Sequence, residues 1–391
     1  MLETKVDTKK VRLKDVKNIL TQLISFPVLG GESNDTIATW IENYLTDHGV
    51  TFYNVFNEDG TKRSIHCRIG PVVDGGIILS GHTDVVPVAG QDWCTDPFKM
   101  VEKDGKLYGR GTCDMKGFLA CCLAALPHML AADLQKPIYF AFSYDEEIGC
   151  WAGPALAKAI KHTYTETPRF AIIGEPSEME VITGQKGMGS METTIYSRGA
   201  HSSKIYTEVS AVHEGAKLVL WLENKMEALI KNGQQDLRFD PPHSTLHVGI
   251  CNGGIAHNVV ADKCTIRWDM RTLPSDQSAV ILQEFKDYCR KRTVICQQKV
   301  PEFSIETVEK FPLVVPLDTS NDSLVVQFVQ QLTDVKSIGA VSFASEAGQF
   351  AAKGFETVIC GPGSIEQAHR ANEFIEVVQL EKGIMFLQKL I

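Results

Sequence analysis

At 391 residues the chain is longer than one hydrophobic core usually supports, so two domains are expected. Its 44% hydrophobic content is that of an ordinary globular protein, and no apolar run approaches the ~20 residues of a membrane span. The net charge of −9 argues against nucleic acid as a partner, and eleven cysteines without a repeated C-x-x-C pair fit reduced thiols better than a disulfide framework.

Residues 1–7 lack the apolar core of a signal peptide, which makes the cytoplasm the expected location. Val16, Ile19, Leu20, Leu23 and Ile24 recur at helical spacing, and Pro27 stops that helix. Ile37, Trp40, Ile41, Tyr44 and Leu45 form a second stripe, ended by Gly49. From there to about residue 183, strand-like runs alternate with helical ones, including helices near 115–130 and 152–161. That alternation predicts βαβ units and a mostly parallel sheet. The character changes near Gly184. A strand at 188–196, a long amphipathic helix at 209–232, a strand pair at 244–251 and 263–271, a helix at 275–292 and a strand-like run at 303–308 follow. This βαββαβ order is the ferredoxin-like pattern. After Pro312 the βα character resumes, with a helix near 323–332. One domain is thus expected inside another, with 1–183 and 312–391 forming the host and 184–311 the insert.

Polar residues placed directly after apolar runs carry the chemistry. Ile77, Ile78 and Leu79 lead to His82 and Asp84. The run from Ile138 to Phe142 leads to Asp145, Glu146 and Glu147, and the run from Phe170 to Gly174 leads to Glu175. The run from Thr357 to Cys360 leads through Gly361, Pro362 and Gly363 to His369. Asp114 follows Lys106, Leu107 and Tyr108 and opens a helix-like segment. In open α/β sheets, sites form outside the carboxyl ends of the strands. Two histidines and several carboxylates converging there fit a hydrolase centre of two metal ions.

Each motif alone has a plainer reading: a strand-end His82, a helix-capping Asp114, an exposed acidic turn at 145–147, a surface Glu175, a structural His369. Their joint placement favours the metal centre. Neutral imidazole binds zinc, and Asp84 is close enough in sequence to accept the second N–H of His82. Both oxygens of one carboxylate, such as Asp114, can bridge two cations. Three adjacent acids repel one another unless a cation compensates them, and they permit one to bind metal while another moves a proton. The glycines around Asp114 do not form the G-x-x-x-x-G-K-[ST] phosphate loop, so no nucleotide site is expected. In the insert, His201 within Gly199-Ala200-His201-Ser202-Ser203 can donate to a developing oxyanion. Asn258 and Arg271 suit a substrate carboxylate, Arg through its two-bond fork. Glu346 is a further candidate substrate contact. The alternatives here are a loop histidine, an Arg271–Asp269 ion pair and a helix start at Glu346.

In this order the motifs resemble the co-catalytic dizinc peptidase and deacylase family of carboxypeptidases, aminoacylases, desuccinylases and acetylornithine deacetylases. The resemblance spans nearly the whole chain. It is carried by SGHTDVVPV from Ser80, DPF from Asp96, LYGRGTCDMKG from Leu107, DEE from Asp145 and GEPS from Gly174. GPGSIEQAH from Gly361 is patterned like the acetylornithine deacetylase branch. The resemblance implies an α/β fold: a zinc-peptidase-like catalytic domain with a mixed, mostly parallel sheet, and an inserted ferredoxin-like α+β lid and dimerisation domain. It implies that His82 and Glu175 hold one ion, His369 and Glu147 the other, and that Asp114 bridges them. Asp84 would orient His82, Glu146 would be the general base, and the peptide bond after Asp114 would be cis. The ions expected are zinc, with cobalt as a second candidate. The expected partner is a second copy of the chain, with His201 serving the other subunit's site; nucleic acid and membrane are not expected partners.

The reaction implied is hydrolysis of N2-acetyl-L-ornithine to L-ornithine and acetate, a step of arginine biosynthesis, by a metal-activated water. Acetylcitrulline deacetylase, succinyl-diaminopimelate desuccinylase, dipeptidase and aminopeptidase activities remain alternatives, as does a non-catalytic metal-binding scaffold. Trp151, which follows the acidic run, departs from the family pattern and has no assigned role.

Overall fold

In the computed structural model, which describes residues 10–391, the first apolar stripe is the helix Leu13–Ile24, with Val16, Leu20, Leu23 and Ile24 buried. The expectation drawn from residues 1–7 lies outside the described residues. The second stripe is the helix Asp35–Asp47, burying Ile37, Ala38, Ile41 and Leu45. The helix Lys116–Ala131 is apolar on all sides and buried along most of its length, as a helix enclosed by the core must be. It packs against Leu13–Ile24, the C-terminal helix Val377–Gln388 and the sheet. Pro127 lies within it and removes the N–H that would bond the Leu123 carbonyl. The Tyr44 hydroxyl donates to that carbonyl instead, at 3.0 Å.

Four strands form the middle of the main sheet, in the order Ile138–Ser143, Ile77–His82, Phe170–Pro176, Glu356–Gly361, all mutually parallel. Three of them are buried at every residue and Glu356–Gly361 at all but its first, which accounts for their continuous apolar runs. The sheet is mixed because Phe52–Phe56 and Arg63–Ile69 form an antiparallel pair at one edge, and Val181–Gln185 joins Glu356–Gly361 antiparallel on the other side. The expected parallel core is therefore present and flanked by antiparallel strands. Lys106–Tyr108 is not part of this sheet. It belongs to a small three-stranded sheet with Val101–Lys103 and Phe374–Glu376. Asp114 consequently sits in a turn rather than at a main-sheet strand end, and the helix after it begins at Lys116.

The chain divides into two compact units. One comprises Met1–Gly184, Leu317–Ala340 and Ser345–Ile391; the other comprises Gln185–Pro316 with Val341–Ala344. The second unit thus runs past residue 311 and takes a short return segment. Backbone pairing explains both: Met188 and Val314 exchange hydrogen bonds at 3.0 and 2.9 Å, and Lys186 N–H donates to the Val341 carbonyl at 3.2 Å. Within this unit the strands Gly187–Tyr196, Thr245–Gly253, Lys263–Thr272 and Ser304–Glu309 form an antiparallel sheet. In chain order its strands lie 4-1-3-2, the ferredoxin-like arrangement. The helices Ala211–Asn232 and Ser278–Gln297 contribute Leu218, Leu222 and Phe285 to a core with Met191, Ile195 and Trp268.

His66 gives the first unit a pH dependence. Its ring is 1% exposed, stacks on Tyr53 and meets the Tyr164 hydroxyl at 2.9 Å. Burial pushes its pKa down to about 4. A depressed folded pKa contributes stability that is complete above the unfolded value of about 6.5 and is lost as pH falls towards 4. The expected loss is on the order of 3 kcal/mol. In chelator-treated protein, denaturant titrations between pH 7 and pH 4 should show a flatter decline for His66→Gln. Equal slopes for variant and wild type would remove His66 as a cause.

Candidate metal centre

The parallel register brings the carboxyl ends of the middle strands level, with His82 opposite Ser143 and Gly361 opposite Pro176. Glu175 lies just before the end of its strand, and Glu146 and Glu147 follow Ser143 by a short turn. Gly174 before Glu175 is required by packing: a Cβ there would sit 2.1 Å from the Phe118 ring.

Asp114 is the pivot. Its Oδ1 lies 3.1 Å from His82 Nε2 and its Oδ2 lies 3.4 Å from His369 Nε2. Glu175 Oε1 is 3.9 Å from His82 Nε2, and Glu147 Oε2 is 3.0 Å from His369 Nε2. Two triads result, His82–Asp114–Glu175 and Asp114–Glu147–His369, each with ligand atoms within 4.8 Å of one another. Asp114 presents one oxygen to each. The peptide bond from Asp114 to Met115 is cis.

The electrostatics call for cations. Asp114, Glu147 and Glu175 are all buried or nearly so, and the Glu146 side chain is only 10% exposed. Burial, then the neighbouring acids, pushes Glu175 far above the usual carboxylate range, and burial with Asp114 pushes Glu147 up to about 7. Asp114 is buried as well, but hydrogen bonds from His369 and His82 hold it below that range. Bonds to Asp114 and Glu147 push His369 up to about 10. Glu147 Oε1 is buried without a hydrogen-bond partner. Buried carboxylates crowded around two imidazoles, with one oxygen unsatisfied, form a donor set that fits two divalent cations.

Glu146 stands beside this set rather than in it. Its Oε2 is 4.0 Å from His82 Nε2, and its Oε1 accepts from the Cys150 thiol at 3.3 Å. Burial raises its pKa well above the ordinary value. The three adjacent acids divide their roles. Asp145 accepts the Gly31 N–H at 2.8 Å and pairs with Lys62, so it anchors the turn. Asp84 anchors it from below, its carboxylate accepting the N–H groups of Glu146 and Glu147 at 3.3 and 3.2 Å. His82 Nδ1 meets the Asp84 carbonyl at 2.9 Å, while the Asp84 carboxylate lies at 3.6 Å. The backbone carbonyl, more than the side chain, therefore sets the His82 tautomer. Trp151 is 44% exposed, and its backbone N–H closes the acidic turn by bonding the Asp145 carbonyl.

Glu346 is in the same unit. It directly precedes the helix Ala347–Ala351, its Oε2 accepts from Ser143 Oγ at 2.9 Å, and burial pushes it up to about 7. His201, Asn258 and Arg271 are in the second unit. His201 and Asn258 are neighbours, because His201 pairs with Val259 and Ser202 N–H donates to the Asn258 carbonyl. Arg271 is not with them. Gly254 N–H bonds the Lys263 carbonyl at one end of the strand Lys263–Thr272, whereas Arg271 sits near the other. The intervening strand spans roughly 25 Å at about 3.3 Å per residue. Within one chain, Asn258 and Arg271 therefore do not converge on one carboxylate as expected.

Sequence reasoning passed over Glu373, Arg110 and Gln91. The Glu373 carboxylate accepts the N–H groups of Gly111, Cys113 and Asp114 at 3.0, 2.9 and 3.1 Å and pairs with Arg110 at 2.7 Å. Its nearness to His369 in sequence was the one available signal.

Residues 78–391 match the model of Peptidase family M20/M25/M40. The chain belongs to peptidase family M20/M25/M40. The acetylornithine deacetylase of Proteus mirabilis is 30% identical over 383 residues, covering 95% of this chain and 94% of that one. The acetylornithine deacetylase of Erwinia tasmaniensis is 31% identical over 378 residues, covering 94% of each chain. An M20 family metallo-carboxypeptidase from Sulfolobus solfataricus has the same fold, with a TM-score of 0.76 at 18% identity over 96% of this chain and 98% of that one. The M20 membership and the donor set agree: the chain is a metal-dependent hydrolase of amide bonds.

Proposed function

We propose that this M20 chain hydrolyses N2-acetyl-L-ornithine to L-ornithine and acetate. The observation that carries the metallohydrolase chemistry is Asp114, whose two oxygens face two separate ligand sets beside Glu146, which belongs to neither. The substrate is supported by the full-length similarity to acetylornithine deacetylases. The product would feed arginine biosynthesis. All eleven cysteines are free, which suits a reducing cytoplasm.

His82, Asp114 and Glu175 would hold one ion, and Asp114, Glu147 and His369 the other; zinc is the proposed metal, cobalt the second candidate. Bound there, two divalent cations polarise an amide carbonyl and lower the pKa of water. Glu146 accepts a proton from the attacking water and returns it to the leaving amine. Arg271 takes the substrate carboxylate through its fork. His201 donates to the developing oxyanion and Asn258 supports the substrate, both from the second unit of a partner copy in a homodimer. Their separation from Arg271 along the strand supports this division. The second unit then serves as lid and dimerisation domain.

A parallel substrate assay tests the assignment. Metal-loaded protein should release ornithine from N2-acetyl-L-ornithine at least about tenfold faster, in kcat/KM, than it hydrolyses N-acetylcitrulline, N-succinyl-diaminopimelate or unblocked dipeptides, a margin of about 1.4 kcal/mol in transition-state binding. Preference for another of these substrates would overturn the ornithine assignment and leave the metallohydrolase chemistry standing.

A further inference from the structure

The two ligand sets are held in different ways. His82 and Glu175 lie on strands, where the ladder of the sheet fixes them. His369 lies on no regular element, has φ 62 and a side chain 57% exposed. A non-glycine residue in the left-handed region persists only where its surroundings hold it.

Gln91 supplies that hold. Its Nε2 donates to the His369 carbonyl at 2.8 Å. Its Oε1 accepts from Arg110 Nη2 at 2.6 Å and from Trp93 Nε1 at 3.2 Å. Arg110 is 1% exposed, pairs with Glu373 and donates to the Arg370 carbonyl at 3.3 Å. Asn372 adds a second clasp to the same loop, accepting the Cys94 N–H at 2.7 Å and donating to the Asp92 carbonyl at 3.3 Å. One amide thus joins the backbone of His369 to the Arg110–Glu373 pair that grips the backbone of Asp114.

We propose that Gln91 is a positioning residue for the Asp114–Glu147–His369 metal subsite, acting through the His369 carbonyl. This rests on the two-metal reading above. The His82–Asp114–Glu175 subsite depends on it less, because His82 and Glu175 are fixed by strands and the Asp114 N–H is held by Glu373 itself.

Zinc titration into metal-free protein, followed by calorimetry with a competing chelator, tests the idea without reference to activity. Two variants separate positioning from general support. Gln91→Ala removes both the donor and the acceptor. Gln91→Glu keeps acceptors for Arg110 and Trp93, removes the donor to His369 and turns a carboxylate oxygen towards the His369 carbonyl. Wild type should bind two zinc ions in distinguishable steps. Both variants should bind the first as wild type does and the second more weakly, by on the order of 10- to 100-fold, as is typical when a residue behind a ligand is lost. If Gln91→Glu binds the second zinc as wild type does, the amide acts only through Arg110 and the proposal is wrong. If wild type itself binds fewer than two zinc ions, the two-metal reading fails and this proposal with it.

Discussion

Replacing Glu146 with glutamine is expected to lower kcat by about 10²- to 10⁴-fold, the range a general acid–base contributes, while KM and metal content stay close to wild type. Glutamine preserves the size of the side chain, and its amide oxygen can still accept from the Cys150 thiol as Glu146 Oε1 does. It cannot take or return a proton. Glu146 belongs to neither ligand triad, so the cations should remain. The environment suits a proton carrier. Burial pushes the carboxyl upward, and Glu147, Asp114 and Glu346 add to the shift. An upward shift is the direction in which a carboxylate is tuned for general acid–base work. Paired kinetics and metal analysis of Glu146→Gln check the expectation. Wild-type kcat would exclude Glu146 as the base, and loss of metal would make it a ligand.

The second large effect is on stability. Without cations, Asp114, Glu147 and Glu175 remain buried together, and Glu147 keeps an oxygen with no partner. Metals that bind only the folded state stabilise it by about 2.7 kcal/mol for each site at 100 times Kd, and about 4 kcal/mol at 1,000 times Kd. Chelation should therefore lower Tm by about 5 °C or more and abolish turnover, and restored zinc should recover both. In Asp114→Ala the shared ligand of both triads is gone, so zinc should no longer raise Tm appreciably. A scan in which chelator leaves the wild-type Tm unchanged would show that the acid cluster is not balanced by metal.

The parts of this site that were legible in the sequence are those set by short-range pattern. His82 and Glu175 lie at or near strand ends and Glu147 follows one by a short turn, and the parallel ladder makes sequence position equivalent to spatial position. Asp114 and His369 were legible as motifs, but not in their setting. Asp114 lies in a turn after a different sheet, and His369 in a loop held from residues 91–94. Contacts across some 260 to 280 residues, such as Glu373 with the turn before Asp114, leave no periodic trace. A buried Glu cannot be told from an exposed one by its neighbours in sequence. Most helices were legible, because stripes such as Val16, Leu20 and Leu23 must face a core, but the C-terminal helix Val377–Gln388 was not among those read. Arg271 and Asn258 illustrate the opposite limit. Each residue suits a carboxylate, but strand length places them at distant points of one unit, and only the register reveals it.

Asp114, its two ligand sets and the neighbouring Glu146 are proposed to support two-cation hydrolysis of an N-acyl amino acid. The most direct test is the rate of acetate release from N2-acetyl-L-ornithine as zinc is titrated into chelator-stripped protein, with Glu146→Gln run in parallel. The rate should start near zero, rise with added zinc and level off at two ions per chain, while the variant stays flat despite binding the metal. Hydrolysis that persists in the stripped protein, or a variant that follows the wild-type curve, would contradict the account.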